Sequence, residues 1–328
     1  MKKKGEKKYR RAIGIEMYAK CFRMTISRKL LLLFFALCIS DSMKAQDFLF
    51  TDNPEIQNPF RESVLINAQT TITGPKTGWE FHIRHRFGAM ATDNTLVKSF
   101  LGTDGVANIR FSFVFPLSDK TYVGVGRSKF GKTYDLEVKH RFLTQTVDNK
   151  KPISLAAYVN IACMSDAFPP VPKNSYFSDG TTEFEYLFNH RLTYNSQVII
   201  SRKMSERTSI EVAPIFIYRN LVEIGKQNAS VNIAAGVSFR TSTRASIIAE
   251  YTYRFLDQPV KNLFPLALGY EFGTVGHSFQ IIVSSSNDLL EQNVYHNQNL
   301  DYTQGKFYLG FNLRRTFWHK KKTKIEKL

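Results

Sequence analysis

Residues 134–142 read YDLEVKHRF, and the parity of this stretch decides the fold. Tyr134, Leu136, Val138, His140 and Phe142 alternate with Asp135, Glu137, Lys139 and Arg141. Successive side chains of a strand point to opposite faces, so this segment carries one largely apolar and one fully charged surface. The pattern recurs in Ile109, Phe111, Phe113 and Phe115 against Asn108, Arg110 and Ser112. It recurs again in Ile247, Ala249, Tyr251, Tyr253 and Phe255 against Ser246, Glu250, Thr252 and Arg254. Helical periodicity is nearly absent from the chain after residue 80.

Outward from this core, twelve alternating segments are read near 80–88, 106–115, 121–128, 133–142, 152–161, 190–201, 208–218, 230–240, 245–255, 264–272, 277–284 and 306–317. Most are 8 to 12 residues long. A tilted strand needs about 9–11 residues to cross a bilayer, whereas strands of soluble sheets have roughly 5–6. Short connections at 116–120, 143–151, 202–207, 241–244 and 273–276 alternate with longer ones such as 89–105, 162–189 and 285–305. The exceptions are 129–132, short for an outer loop, and 143–151, long for an inner turn. This arrangement predicts an all-β chain: a single antiparallel, up-and-down transmembrane β-barrel of about twelve strands, with short turns in the periplasm and long loops outside.

A soluble barrel shows the same alternation with the opposite polarity. An export leader, strands of spanning length and polar faces dense in opposed charges favour the membrane. The aromatic and aliphatic faces then meet lipid. The lumen-lining set is Arg84, Arg86, Arg110, Lys139, Arg141, Arg191, Arg219, Arg240, Arg254 and Arg314 with Glu80, Asp135, Glu137, Glu211, Glu250 and Glu271. Isolated ions away from bulk water are costly, so these charges are expected to pair mostly with one another. A residual positive bias would favour anions.

Composition agrees with many amphipathic strands: 27 Phe and 15 Tyr stand beside two Trp and three Cys in 328 residues. The net charge of +17 sits largely at the two ends, since residues 1–45 hold 12 Lys and Arg against three acids and residues 319–328 hold five against one. Nucleic-acid binding needs the surplus on a folded face, and that class is set aside.

The first basic end has the plan of a secretory leader: Arg28 and Lys29, the apolar run Leu30–Ile39, then Ser40–Lys44 and Ala45. Cleavage after Ala45 leaves Cys163 as the one mature cysteine, and a leader of ordinary length starts at Met24, making 1–23 an extension. The chain thus divides into 1–45, an N-terminal segment 46–79, the barrel 80–318 and a basic tail 319–328. Segment 46–79 opens irregularly through Asp52, Asn53, Pro54, Asn58 and Pro59 and alternates weakly from Ser63 to Thr73. It has no partner in an even strand count, so it lies in the periplasm or enters the lumen as a partial plug. The tail, with Lys320, Lys321, Lys322, Lys324 and Lys327, is expected beside the inner-leaflet headgroups.

Several motifs have plainer explanations than chemistry. Residues 126–133, GRSKFGKT, match a phosphate-binding loop, but such a loop must open a helix, and period-two alternation follows Thr133. A hairpin turn explains the same letters. His82 and His85 point to opposite faces of a strand and cannot share a metal. Cys163 reads as a buried or loop thiol. His277 and Ser278 are adjacent and oppositely directed, and no nucleophile elbow is present. No catalytic, cofactor or metal site is expected.

The chain resembles a family: the uncharacterised outer-membrane β-barrel proteins of Bacteroidota-type bacteria, grouped as a domain of unknown function. The likeness covers most of 60–317 and is carried by HRFG at 85–88, VGVGRSKFGKTYD at 123–135, SRKMSER at 201–207, YRNL at 218–221, GHSFQ at 276–280 and FYLGFNL at 307–313. It implies a barrel in the outer membrane and names no substrate. Barrels of this kind usually stop at a terminal aromatic, whereas here Phe317 and Trp318 precede a basic tail.

The expected function is a non-enzymatic narrow channel or transporter for a small polar or anionic solute, with outer-membrane lipid and the barrel-insertion machinery as partners. The alternatives are a plugged structural barrel whose outer loops bind a partner, and a surface hydrolase.

Overall fold

The computed structural model describes residues 58–318 except 75, 92–94, 178, 223–225, 256–262, 275 and 297–299. Residues 1–45, read as a leader, the first part of the 46–79 segment and the tail at 319–328 lie outside the described residues.

Twelve strands form one closed barrel: β1 (Gly78–Ala91), β2 (Asn108–Pro116), β3 (Thr121–Ser128), β4 (Thr133–Leu143), β5 (Ser154–Met164), β6 (Leu192–Lys203), β7 (Thr208–Arg219), β8 (Ala229–Arg240), β9 (Ala245–Arg254), β10 (Leu266–Gly273), β11 (His277–Ser284) and β12 (Lys306–Trp318). Each pairs antiparallel with its sequence neighbour, and β1 closes on β12 from Gly78↔Trp318 to Ala91↔Lys306. Closure leaves no sheet edge unpaired, which a bilayer interior requires.

The predicted segments and the strands coincide at β3 and β11 and differ elsewhere by a few residues at their ends. Short turns share one closure, with Leu117 N donating to Thr121 O, Met204 N to Thr208 O and Thr241 N to Ala245 O. These turns mark one mouth, the turn end; long connections mark the other, the loop end. The 126–133 motif is a hairpin: β3 runs into a 3-10 turn, Phe130–Lys132, with Gly131 at φ +62°, and β4 starts at Thr133. In β1 the register shifts between Arg86 and Ala89. Gly88 lies in that bulge, where a Cβ would stand 2.5 Å from Gly105 Cα, so only glycine lets the connection at 102–105 pack against the wall.

Outward positions are apolar and exposed, among them Phe113, Leu136, Val212, Phe239, Tyr270 and Ile281. Such an apolar surface around a barrel has no soluble explanation. At the turn end Trp79 stacks on Phe317 across the β1–β12 seam at 4.1 Å, with Phe113 and Phe115 alongside. Cys163 is neither a core nor a loop thiol. It is half-buried on β5, paired with Tyr134 and Leu192, because its parity puts it on the outward face.

Two inserts fill the interior. Residues 58–73 enter from the turn end as a hairpin-like loop, with Val64 bridging Gln69, Thr70 N donating to Ser63 O and Leu65 N to Ala68 O across a tip at 65–68. From the loop end, the β11–β12 connection turns back inward. Leu289, Leu290, Tyr295 and, on the helical turn Glu291–Val294, Glu291, Gln292 and Val294 are buried there, so the first half of what reads as an outer loop belongs to the core.

Each insert finds an apolar seat on the inner wall. Ala68, Val294 and Tyr295 pack with Ala156, Tyr158, Ile199, Ala213, Ile215, Ile217 and Ala234. Phe60, Leu65, Ile66 and Ile72 pack with Ile248, Ala267 and Ile282. The inner face is therefore not a charged ladder throughout. Charge concentrates on β1–β4, and the opposite wall is partly apolar because buried chain covers it.

Candidate functional site

The β4 parity that opened the sequence reading places Asp135, Glu137 and Lys139 inside the barrel. Arg110 on β2 reaches across β3, donating from Nε to Asp135 Oδ2 at 3.1 Å and lying 3.3 Å from Glu137 Oε2. Gly124 and Gly126 on the intervening β3 make room, since a Cβ on Gly126 would lie 2.5 Å from Arg110 Nη2. Tyr158 OH donates to Glu137 at 3.0 Å, and Asn160 Nδ2 to Asp135 at 3.1 Å. This network is buried and lies on the wall, touched by the loop-end insert where Gln292 Nε2 donates to Asn160 Oδ1 at 2.8 Å, and paired ions there need every remaining lone pair satisfied.

The other wall charges bond mostly to the inserts. Lys139 Nζ donates to the carbonyl of Ser63 at 2.7 Å and lies over the Tyr122 ring. Arg86 donates to Asn67 Oδ1 and Asn312 Oδ1, both at 3.0 Å. Glu250 on β9 accepts from the backbone amides of Ile66, Asn67 and Ala68, a concave nest of N–H groups around one carboxylate. Gln280 donates to Leu65 O and Asn312 to Ile66 O, so the tip at 65–68 is held on several sides. At the turn end Arg314 joins Glu80 and Glu62, and Arg61 lies 3.4 Å from Glu271.

At the loop end the second insert takes the remaining cations. Arg84 lies 3.6 Å from Glu291, Arg219 donates to Gln292 O at 2.5 Å and Arg254 to His296 O at 2.6 Å. The inserts also meet each other, where Gln69 Nε2 donates to Glu291 Oε1 at 2.7 Å.

Of the sixteen residues read as lumen-lining, Glu80, Arg84, Arg86, Arg110, Asp135, Glu137, Lys139, Glu211, Glu250, Arg254 and Glu271 are buried inside the barrel. Arg219 and Arg314 are partly buried on inward positions near the two ends. Arg141 lies at the turn-end mouth, donating to Asp119 O and Asn58 Oδ1. Arg240 is exposed at the same mouth, where it lines a recess together with Arg61 and Arg207. Arg191 is a correction: it belongs to a 3-10 turn, Phe188–Arg191, and its guanidinium is drawn to Met164 O, Asp166 O and the Phe168 ring, which places it in the loop-end connection. The expected pairing of wall charges among themselves holds for Arg110 with Asp135 and Glu137 and for Arg314 with Glu80. Arg84, Lys139, Arg219, Glu250 and Arg254 meet insert groups instead, and Arg86 and Glu271 are shared between an insert group and a neutral amide of the wall.

Sequence reading missed Glu62, Asn67, Gln69, Glu291 and Gln292, all buried in the interior. One signal was available. Val198–Ile199–Ile200, Ile215–Phe216–Ile217, Ile247–Ile248 and Ile281–Ile282–Val283 break alternation with apolar residues on both faces, the mark of a strand covered on both sides. His82 is buried 3.0 Å from Glu80, and His85 stacks outside on Phe311. Among the described residues no group of three or more His, Cys, Asp or Glu is arranged to hold a metal.

A closed antiparallel barrel with an apolar exterior and a charged interior defines a membrane-spanning β-barrel. Residues 60–317 match the membrane bound beta barrel domain family (DUF5777), and the chain belongs to that family. Among solved structures it is similar to the KdgM porin, with a TM-score of 0.42 and 8% identity over 73% of this chain and 99% of that one. It is also similar to the NanC porin, at 0.45 and 6% over 73% and 100%. An outer membrane channel from Pseudomonas putida F1 gives 0.46 and 11% over 75% and 98%. No curated protein matches the sequence.

Proposed function

We propose that this protein is a gated, non-enzymatic channel of the bacterial outer membrane for small polar or anionic solutes, closed by its two inserts in the conformation described. The observation that carries this reading is the bonding of the 65–68 tip to the wall. Glu250, Gln280 and Asn312 hold it through backbone polar groups. Such contacts can be exchanged for water when the insert leaves, so withdrawal strands no buried polar group at the tip. With the inserts withdrawn, Arg84, Arg86, Lys139, Glu211 and Glu250 would line the path.

In this reading residues 1–45 are the exported chain's leader, removed after Ala45, and the turn end faces the periplasm together with the 46–79 segment and the 319–328 tail. The loop end faces outward. Outer-membrane lipid surrounds the apolar belt, and the insertion machinery assembles the barrel. Planar-bilayer recording tests the reading. The full chain should conduct in brief openings, and deletion of 46–75 should raise mean conductance several-fold while the barrel still inserts. A folded deletion variant that passes no more current than the full chain favours the second reading, a plugged structural barrel. The filled lumen is the observation on that side.

A further inference from the structure

The wall does not neutralise Arg84. Its cross-strand neighbour on β2 is Arg110, a like charge directly opposite, and its neighbour on β12 is Asn312. Like charges so placed repel. Arg110 is satisfied by Asp135 and Glu137, and Arg86, two residues along the same face, bonds to the neutral oxygens of Asn67 and Asn312. Arg84 is almost fully buried, and its ion pair among the described residues is with Glu291, which belongs to the insert and not to the wall. Nε and Nη1 of Arg84 make no hydrogen bond, so the 3.6 Å approach is a charge contact that leaves donor capacity in place.

Around the same carboxylate the donors converge. Gln69 Nε2 bonds Glu291 Oε1, and Gln69 is oriented in turn by Tyr122 OH at 3.2 Å from its Oε1. Nearer the loop end Arg219 and Arg254 bind carbonyl oxygens of the same insert. At Arg84 the insert therefore presents the Glu291 carboxylate, followed toward the loop end by the neutral carbonyl oxygens of Gln292 and His296. A small hydroxy acid has that same pattern.

We propose that Arg84, with Gln69 as its neighbouring donor, is a binding site for the carboxylate of a small hydroxy acid arriving from the loop end, and that Glu291 occupies the site as a built-in competitor. Binding exchanges one carboxylate for another at Arg84 and releases 285–296 from the wall, so the solute uncovers the loop-end half of the lumen. The N-terminal insert stays in place and supplies Gln69 as the floor. The site deepens the channel reading by naming a solute class, but occupancy does not depend on conduction.

Equilibrium dialysis of the folded full chain against labelled gluconate, with sorbitol as its uncharged counterpart, tests this. Gluconate should bind and sorbitol should not. Glu291→Gln removes the competing charge and should tighten gluconate binding roughly tenfold or more. The double variant Arg84→Gln with Glu291→Gln removes both charges together, so no lone buried ion threatens folding, and it should lose gluconate binding. Equal retention of gluconate and sorbitol, an unchanged affinity in Glu291→Gln, or full binding by the double variant would each overturn the site. Bilayer current is read separately. A barrel that binds gluconate but never conducts sinks the channel alone, and one that conducts but ignores gluconate sinks this inference alone.

Discussion

Asn67 and Glu250 are joined through both amides of Asn67, the backbone one donating to Glu250 Oε2 at 2.9 Å and to Oε1 at 3.1 Å and the side-chain one to Oε1 at 2.6 Å. The residues are separated by 183 positions, so this contact is where the N-terminal insert is fastened to the far wall of the barrel. The amides of Ile66 and Ala68 complete the hold.

Glu250→Gln should loosen that fastening without changing its shape. A hydrogen bond to a charged group contributes about 1.5–3 kcal/mol, and losing about 2 kcal/mol shifts the docking of the insert roughly 30-fold toward release. In single-channel records the variant should spend more time open than the parent. Identical open times would mean that the nest does not hold the gate.

Gly236→Val acts on the same insert through packing. A Cβ at Gly236 would stand 2.6 Å from Leu65 Cδ2 and 2.9 Å from Glu211 Cγ. The added side chain should displace the 65–68 tip, raising conductance while the barrel remains folded and heat-modifiable on gels. Retention of the parent's closed state would show that the wall gives way instead.

Gly126→Ala tests the wall network. The new methyl group would overlap Arg110 Nη2 and Asp135 Oδ2, both buried and ion-paired. Breaking a buried pair costs about 3–5 kcal/mol, so the unfolding midpoint in urea should fall well below that of the parent. A surface substitution such as Lys150→Ala, on an exposed turn, is the control expected to leave the midpoint in place.

The seam depends on Trp79 and Phe317, stacked 10° from parallel. Trp79→Ala removes the stack and its contacts with Phe113 and Phe115, at a cost of about 1–3 kcal/mol. Thermal unfolding in micelles should occur at a lower temperature, with the insert contacts unaltered.

One turn of the loop end carries a pH signature. Asp179 accepts hydrogen bonds from the backbone amides of Thr181 and Thr182 and from the Thr182 hydroxyl, which hold its carboxyl at about 2. A depressed carboxylate supports its turn above the ordinary carboxylate range and loses that support as pH falls through the folded value. The amide resonances of Thr181 and Thr182 should therefore titrate with a midpoint near pH 2, and a midpoint near 4 would show that the turn does not form.

Alternation determined a barrel of two-faced strands, because successive side chains of a strand face opposite ways, and strand length together with the density of opposed charge on one face turned the charged side inward, since lipid tolerates charge only on the inner wall. Asp135, Glu137 and Lys139 against Leu136 and Val138 were enough to orient β4, and the turn lengths were enough to order the strands. The charged set fell on inward parity for the same reason, Arg191 excepted, since parity stops where the strand stops. Tertiary structure decided what the interior contains. Residues 58–73 and 285–296 have little periodicity of their own, and their place depends on groups far away in the chain: Glu250 for the amides of 66–68, Arg84 for Glu291, and Ile215 and Ile217 for Tyr295. The doubled apolar runs of β6, β7, β9 and β11 recorded that something covers the inner wall. Which segment does so is set by shape and by charges brought together only when the barrel closes.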